Sequence, residues 1–144
     1  MSMLFDASAL LNVVRERGGA AVDVLEGNYV ITLTVYEIGN AIWKEAALQG
    51  RLSLDEALTL LGAIARICEK MRIVAPRNPA TVLKIASILG ITYYDAAYVV
   101  TAAENSLVLV TDDSELMRRL ERGRELLTRE LKAGLRVITS REVR

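Results

Sequence analysis

The sequence predicts an α/β fold, a three-layer α/β/α sandwich on a mostly parallel five-stranded sheet. Three observations lead there. Short apolar runs with strand character alternate with longer segments of helical periodicity. That βαβα order implies parallel strands covered by helices on both faces. The 144 residues, 52% of them hydrophobic, suffice for one domain, residues 1–144, with a sizeable core.

The first strand is read at Met3 to Asp6, followed by a helix from Ser8 to about Arg17 that Gly18-Gly19 ends. A short helix near Ala20 to Leu25 leads to a second strand, Tyr29 to Leu33. A helix then runs from Thr34 to about Gln49 and stops at Gly50. Another runs from Ser53 to about Lys70, with Leu54, Leu58, Leu61, Ile64, Ala65 and Cys68 on one face. The third strand is Arg72 to Ala75. Helices over Pro79 to Leu89 and Tyr93 to Glu104 are separated by Gly90. The fourth strand is Leu107 to Val110, a helix starts near Ser114, and the last strand is Arg136 to Thr139. No linker, repeat or low-complexity stretch interrupts this order.

Composition excludes several chemistries. Histidine is absent, which removes imidazole bases, His-containing triads and His-ligated zinc. The single Cys68 allows no intrachain disulfide and is expected in the core. No apolar run approaches the ~18 residues of a membrane span, and no basic region precedes the first apolar stretch. A soluble, cytoplasmic protein is the expectation. Net charge is zero, but residues 114–144 hold 9 basic and 5 acidic groups. A basic flank of this kind suits a phosphate-rich polymer, and equally a salt-bridged helix face in which Glu115, Glu121, Glu125 and Glu130 interleave with the arginines.

Four carboxylates carry the functional signal: Asp6, Glu37, Asp95 and Asp113. Three follow strand-like runs and Asp95 opens a helix. The carboxyl ends of parallel strands converge on one crevice, where ligands bind. Each acid alone has a structural explanation. Asp6 and Asp113 suit helix N-caps. Thr34-Val35-Tyr36-Glu37 matches a capping box, and Asp95 suits the first turn after Thr92. The set is harder to explain that way, because four acids in one crevice repel one another unless a cation joins them. Carboxylate-rich, imidazole-free coordination selects Mg²⁺ or Mn²⁺. Ser8, Asn40 and Thr111 are candidate supporting groups. Asp112 is a further candidate ligand, ranked below Asp113 because adjacent residues in extended chain point opposite ways.

The segments Leu4-Phe5-Asp6-Ala7-Ser8, Thr34-Val35-Tyr36-Glu37-Ile38-Gly39-Asn40, Tyr93-Tyr94-Asp95-Ala96-Ala97-Tyr98 and Thr111-Asp112-Asp113-Ser114-Glu115-Leu116, in this order and spacing, resemble a PIN domain. The resemblance is to the small VapC-type toxins of prokaryotic toxin–antitoxin pairs and covers essentially the whole chain. It implies a PIN-like sheet and metal-binding acids at Asp6, Glu37, Asp95 and Asp113, with hydroxyls at Ser8 and Thr111. It also implies a Mg²⁺/Mn²⁺-dependent endoribonuclease, a homodimer, and an antitoxin protein that covers the acidic pocket. On this reading Asp6 and Asp95 hold the principal cation. One departure is the stretch from Arg122 to Leu135, slightly long and basic before the last strand. The apolar residues Leu10, Leu11, Val13, Val14, Ile38, Ile42 and Trp43 exceed one helix face, which leaves some for a dimer or antitoxin surface.

Rival readings are less well supported. A phosphoacceptor receiver would want paired acids after the first strand and a Lys after the last, where Thr139-Ser140-Arg141 stands instead. No GxxxxGK[ST] phosphate loop occurs. The serious rival is a non-catalytic PIN-like module that binds RNA or a protein partner, against which the four intact carboxylates argue. A stand-alone RNA-processing nuclease remains the alternative to a toxin.

Overall fold

The computed structural model describes residues 1–144. Its strands are β1 (Met3–Phe5), β2 (Tyr29–Ile31), β3 (Arg72–Val74), β4 (Val108–Val110) and β5 (Val137–Ile138). The helices are α1 (Ala7–Arg17), α2 (Ala21–Leu25), α3 (Thr32–Trp43), α4 (Leu54–Cys68), α5 (Pro79–Leu89), α6 (Tyr93–Glu104), α7 (Ser114–Arg122) and α8 (Arg124–Leu131). All four strand pairings are parallel, in the order β3-β2-β1-β4-β5. The chain builds outward from β1 to β3, then crosses back to β4. The strand order therefore reverses between β1 and β4, and a crevice opens at their carboxyl ends.

Two cores separate the three layers. Phe5, Val30, Val110 and Ile138 face one side of the sheet and pack with α1 to α4. Leu4, Ile31 and Leu109 face the other and pack with α5 to α8. This alternation is the period-2 pleat of strands buried on both faces. Leu10, Leu11, Val13, Val14, Ile38, Ile42 and Cys68 are all core, whereas Trp43 is 52% exposed.

Local chemistry sets the helix starts. The side chains of Asp6, Ser53, Asn78, Thr92 and Asp113 each accept a backbone N–H three residues on. Ser53 and Glu56 complete a capping box, and Pro79 occupies the first turn of α5. Gly90 ends α5 in the left-handed region, φ 64°.

Three sequence expectations are corrected. The Thr34 to Glu37 segment is not a capping box. The chain enters α3 at Thr32, two residues early, so Thr34 lies in the first turn and its hydroxyl accepts the Ile31 N–H at 3.2 Å. The helix expected to reach Gln49 is α-helical only to Trp43 and continues as a π-helical turn over Lys44–Leu48. On α4, Leu54, Leu58 and Ala65 point outward, while Ala57, Ile64 and Cys68 are buried with Leu60 and Leu61 packed beside them. That helix is apolar around more than half its circumference, so periodicity alone cannot choose its buried face.

No single helix is long and apolar enough to cross a membrane. Helices α5 and α6 together would pass by composition, but they bend by 119° and pack against the sheet. In the basic C-terminal stretch, Arg118 and Arg119 pair with Glu115, and Arg124 pairs with Glu121.

Candidate active site

Asp6 follows β1 directly and Asp113 lies three residues past β4, so the two strands that flank the crevice each deliver one carboxylate. Glu37 comes from the second turn of α3 and Asp95 from the first turn of α6. All four line one cavity of about 330 Å³, with Ser8, Asn40, Lys44 and Tyr98 on its walls. Glu37, Asn40 and Ala41 on α3, and Lys44 at the start of the π-helical turn that continues it, line this cavity along one helical face. Lys44 is the only basic side chain lining it.

The acids are held by hydrogen bonds as well as by the backbone. Asp6 Oδ1 accepts from the Ala9 amide at 2.9 Å and the Ser8 hydroxyl at 2.7 Å. Ser8 Oγ in turn accepts the Asp112 N–H at 3.1 Å, which links the ends of β1 and β4. Thr111 Oγ1 accepts the Asp113 N–H at 3.1 Å, and Asp113 Oδ1 caps α7 through the Leu116 N–H at 3.0 Å. Glu37 Oε1 accepts the Tyr98 hydroxyl at 2.7 Å.

Asp112 is not part of the cavity. Its Oδ2 accepts from Asn12 Nδ2 and its Oδ1 from the Ser140 amide, both at 2.8 Å. Burial alone would raise its pKa, but hydrogen bonds from Ser140 and Asn12 and the charge of Arg141 hold it below the usual carboxylate range. It fastens α1 and the C-terminal turn to the end of β4. Asn40, by contrast, lies on the cavity wall as its spacing from Glu37 implies.

Electrostatics set Asp6, Glu37 and Asp95 apart from surface acids. Burial raises the Asp6 carboxyl above its ordinary value. Hydrogen bonds from Thr111, Ala9 and Ser8 partly offset this, and the charge of Asp95 adds to it. Glu37 is raised by burial and by the charges of Asp95 and Asp6, against the Tyr98 hydrogen bond. Asp95 is raised by burial and then by Asp113. Mutual repulsion is present as the sequence implied, but desolvation is the larger cause.

The donor set is oxygen only. No three carboxylates close on a single ion position. Oxygen-only donors of this kind fit a hard divalent cation such as Mg²⁺ better than zinc or copper. A wider groove of about 900 Å³ lies between the end of α1, α2 and α4. It mixes apolar side chains such as Val22 and Leu60 with Asp55, Glu56, Arg66 and Lys70, and gathers no comparable set of acids.

Sequence reasoning missed Lys44 and Tyr98. Lys44 was legible in principle, because it lies seven residues from Glu37, two turns along one face. The role of Tyr98 depends on a contact 61 residues away and left no local signal.

Residues 3–123 match the family described as PIN domain. Exonuclease VapC9 of Pyrobaculum aerophilum is 38% identical over 90 residues, which span 62% of this chain and 65% of that protein, just under two-thirds. Ribonuclease VapC3 of the same organism is 34% identical over 128 residues, 83% of this chain and 95% of that one. The crystal structure of PAE2754 from Pyrobaculum aerophilum superposes with a TM-score of 0.69 at 30% identity, covering 92% of this chain and 96% of that one.

Proposed function

This chain belongs to the PIN-domain family, and on that premise we propose that it is a Mg²⁺/Mn²⁺-dependent endoribonuclease and the toxin of a toxin–antitoxin pair. The observation that carries the reading is the convergence of Asp6, Glu37, Asp95 and Asp113 on one cavity lacking histidine and cysteine. A divalent cation bound there supplies an activated water and neutralises charge that builds on the phosphate. Asp6 and Asp95 hold it. Glu37 and Asp113 complete the site directly or through water. The Ser8 hydroxyl and the Ala9 amide share Asp6 Oδ1, and the Thr111 hydroxyl is a further partner of this carboxylate. Residues 1–144 act as one nuclease domain, since β5 joins the sheet beyond the family match.

RNA supplies the phosphates. Lys44 lines the cavity from the start of the π-helical turn after α3, without an acidic partner within ion-pair distance, and it is placed to meet a phosphate entering the cavity. Lys44→Ala is expected to raise KM about tenfold with kcat little changed. It should also flatten the salt dependence of binding by about one phosphate contact. Steady-state kinetics across an ionic-strength series checks both. An unchanged KM would remove Lys44 from the binding path. Arg122, Arg129 and Lys132 are exposed and also have no acidic partner within ion-pair distance.

The name of one relative, an exonuclease, favours a second reading in which chains are shortened from an end. A circular RNA separates the two. The endonuclease reading predicts metal-dependent linearisation. A circle that stays intact while its linear counterpart is degraded would establish the exonuclease. An antitoxin protein and a second copy of the chain are the proposed partners. The exposed aromatic residues Trp43 and Tyr36 on α3 support an interface there. The cytoplasm, where RNA is available, is the proposed location.

A further inference from the structure

We propose that Tyr98 is a positioning residue that fixes Glu37 for cation binding, at the end of a one-way hydrogen-bond chain that starts at β2. The inference rests on the metal-site reading above and concerns a residue outside the four acids. The chain runs from the Ile31 N–H to Thr34 Oγ1 at 3.2 Å, from Thr34 to the Tyr98 hydroxyl at 2.8 Å, and from Tyr98 to Glu37 Oε1 at 2.7 Å. Its direction is set at both ends. A backbone N–H only donates, and an ionised carboxylate only accepts. Thr34 therefore accepts from Ile31 and gives its proton to the Tyr98 oxygen, which gives its own to Glu37.

Packing makes this constraint stiff. Tyr98 is 1% exposed and Thr34 is fully buried, so neither hydroxyl has water as an alternative partner. Tyr98 lies three residues after Asp95 on α6, one turn along the same helix. The Tyr98–Glu37 bond thus ties the helix carrying Glu37 to the helix carrying Asp95. It occupies Oε1 and leaves Oε2 of Glu37 for the cavity. Outer partners of this kind orient a ligating carboxylate, and their loss typically weakens metal affinity by about 10- to 100-fold.

A purely structural Tyr98 would make a different prediction. Its hydroxyl would then matter only to folding stability, and Tyr98→Phe would lower Tm without changing cation affinity. The test is Mn²⁺ binding to the chelator-stripped protein, read by electron paramagnetic resonance, beside thermal melts. The expected result for Tyr98→Phe is a Kd about 10- to 100-fold weaker. Thr34→Val cuts the chain one bond earlier and should weaken Mn²⁺ binding less. Thr34→Ser and the exposed-site control Tyr94→Phe should match the unaltered protein. If Tyr98→Phe fails to fold, Thr34→Val decides, and an unchanged Kd there overturns the inference. Tight Mn²⁺ binding by Tyr98→Phe, with binding lost in Asp95→Asn, would overturn the role of Tyr98 and leave the metal site standing. No Mn²⁺ binding by the unaltered protein would overturn both.

Discussion

Asp6→Asn and Asp95→Asn are each expected to lower kcat for RNA cleavage by at least about 10²–10³-fold while the fold survives. The two halves of this expectation have separate causes. Activity falls because an amide is a weak ligand for a hard cation and carries no charge. The fold of Asp6→Asn survives because asparagine caps a helix as well as aspartate does, and that of Asp95→Asn because Asp95 meets the Thr92 cap through its backbone N–H, which the substitution keeps. In Asp6→Asn the side-chain oxygen can still accept from the Ala9 amide and the Ser8 hydroxyl. The substitution also removes a buried charge that burial and Asp95 disfavour without a cation. Tm in chelator is therefore expected to hold or rise. Single-turnover rates beside circular-dichroism melts check both halves. Full metal-dependent activity in either variant would remove that residue from the site.

The second large effect is on stability. Asp6, Glu37 and Asp95 all have folded-state pKa values raised above their unfolded ones. In that window the folded state binds more protons than the unfolded state, so stability falls as pH rises. Their contribution is fully present below the unfolded carboxylate values near about 4 and is lost as pH climbs through the raised folded values. A bound cation compensates those charges and reverses the trend. At about 100 times its Kd, Mg²⁺ or Mn²⁺ should add about 2.7 kcal/mol, a Tm rise of about 5–10 °C. Calorimetry at pH 5 and pH 8 should show the larger rise at pH 8, with most of it missing in Asp95→Asn. An equal rise in that variant would place the cation elsewhere.

The layers and the site acids were legible because they depend on local signals. Alternating strand and helix patterns required a parallel sheet, and the short runs before Asp6 and Asp113 are the two strands at the reversal of strand order. The cap residues Ser53, Thr92 and Asp113 also carry their information within three residues. Glu37 lines the cavity, and the capping-box explanation weighed for it fails. The Thr-x-x-Glu pattern was present, but the end of β2 determines where α3 begins. Asp112, ranked below Asp113 on the alternation of extended chain, is engaged by Asn12 from 100 positions away, a contact that no local pattern shows. The outward face of α4 and the π-helical turn after Trp43 depend on packing that no short window contains.

The central claim is that the four-carboxylate cavity is a metal-dependent ribonuclease site. The most direct measurement strips the protein with chelator, presents a pooled structured RNA, and restores Mn²⁺ stepwise to the unaltered protein and to Asp95→Asn in parallel. The account predicts no cleavage in chelator, cleavage that rises with Mn²⁺ in the unaltered protein, and none at any Mn²⁺ concentration in Asp95→Asn. Equal cleavage by both proteins would contradict it, as would a folded, Mn²⁺-loaded unaltered protein that leaves every RNA intact.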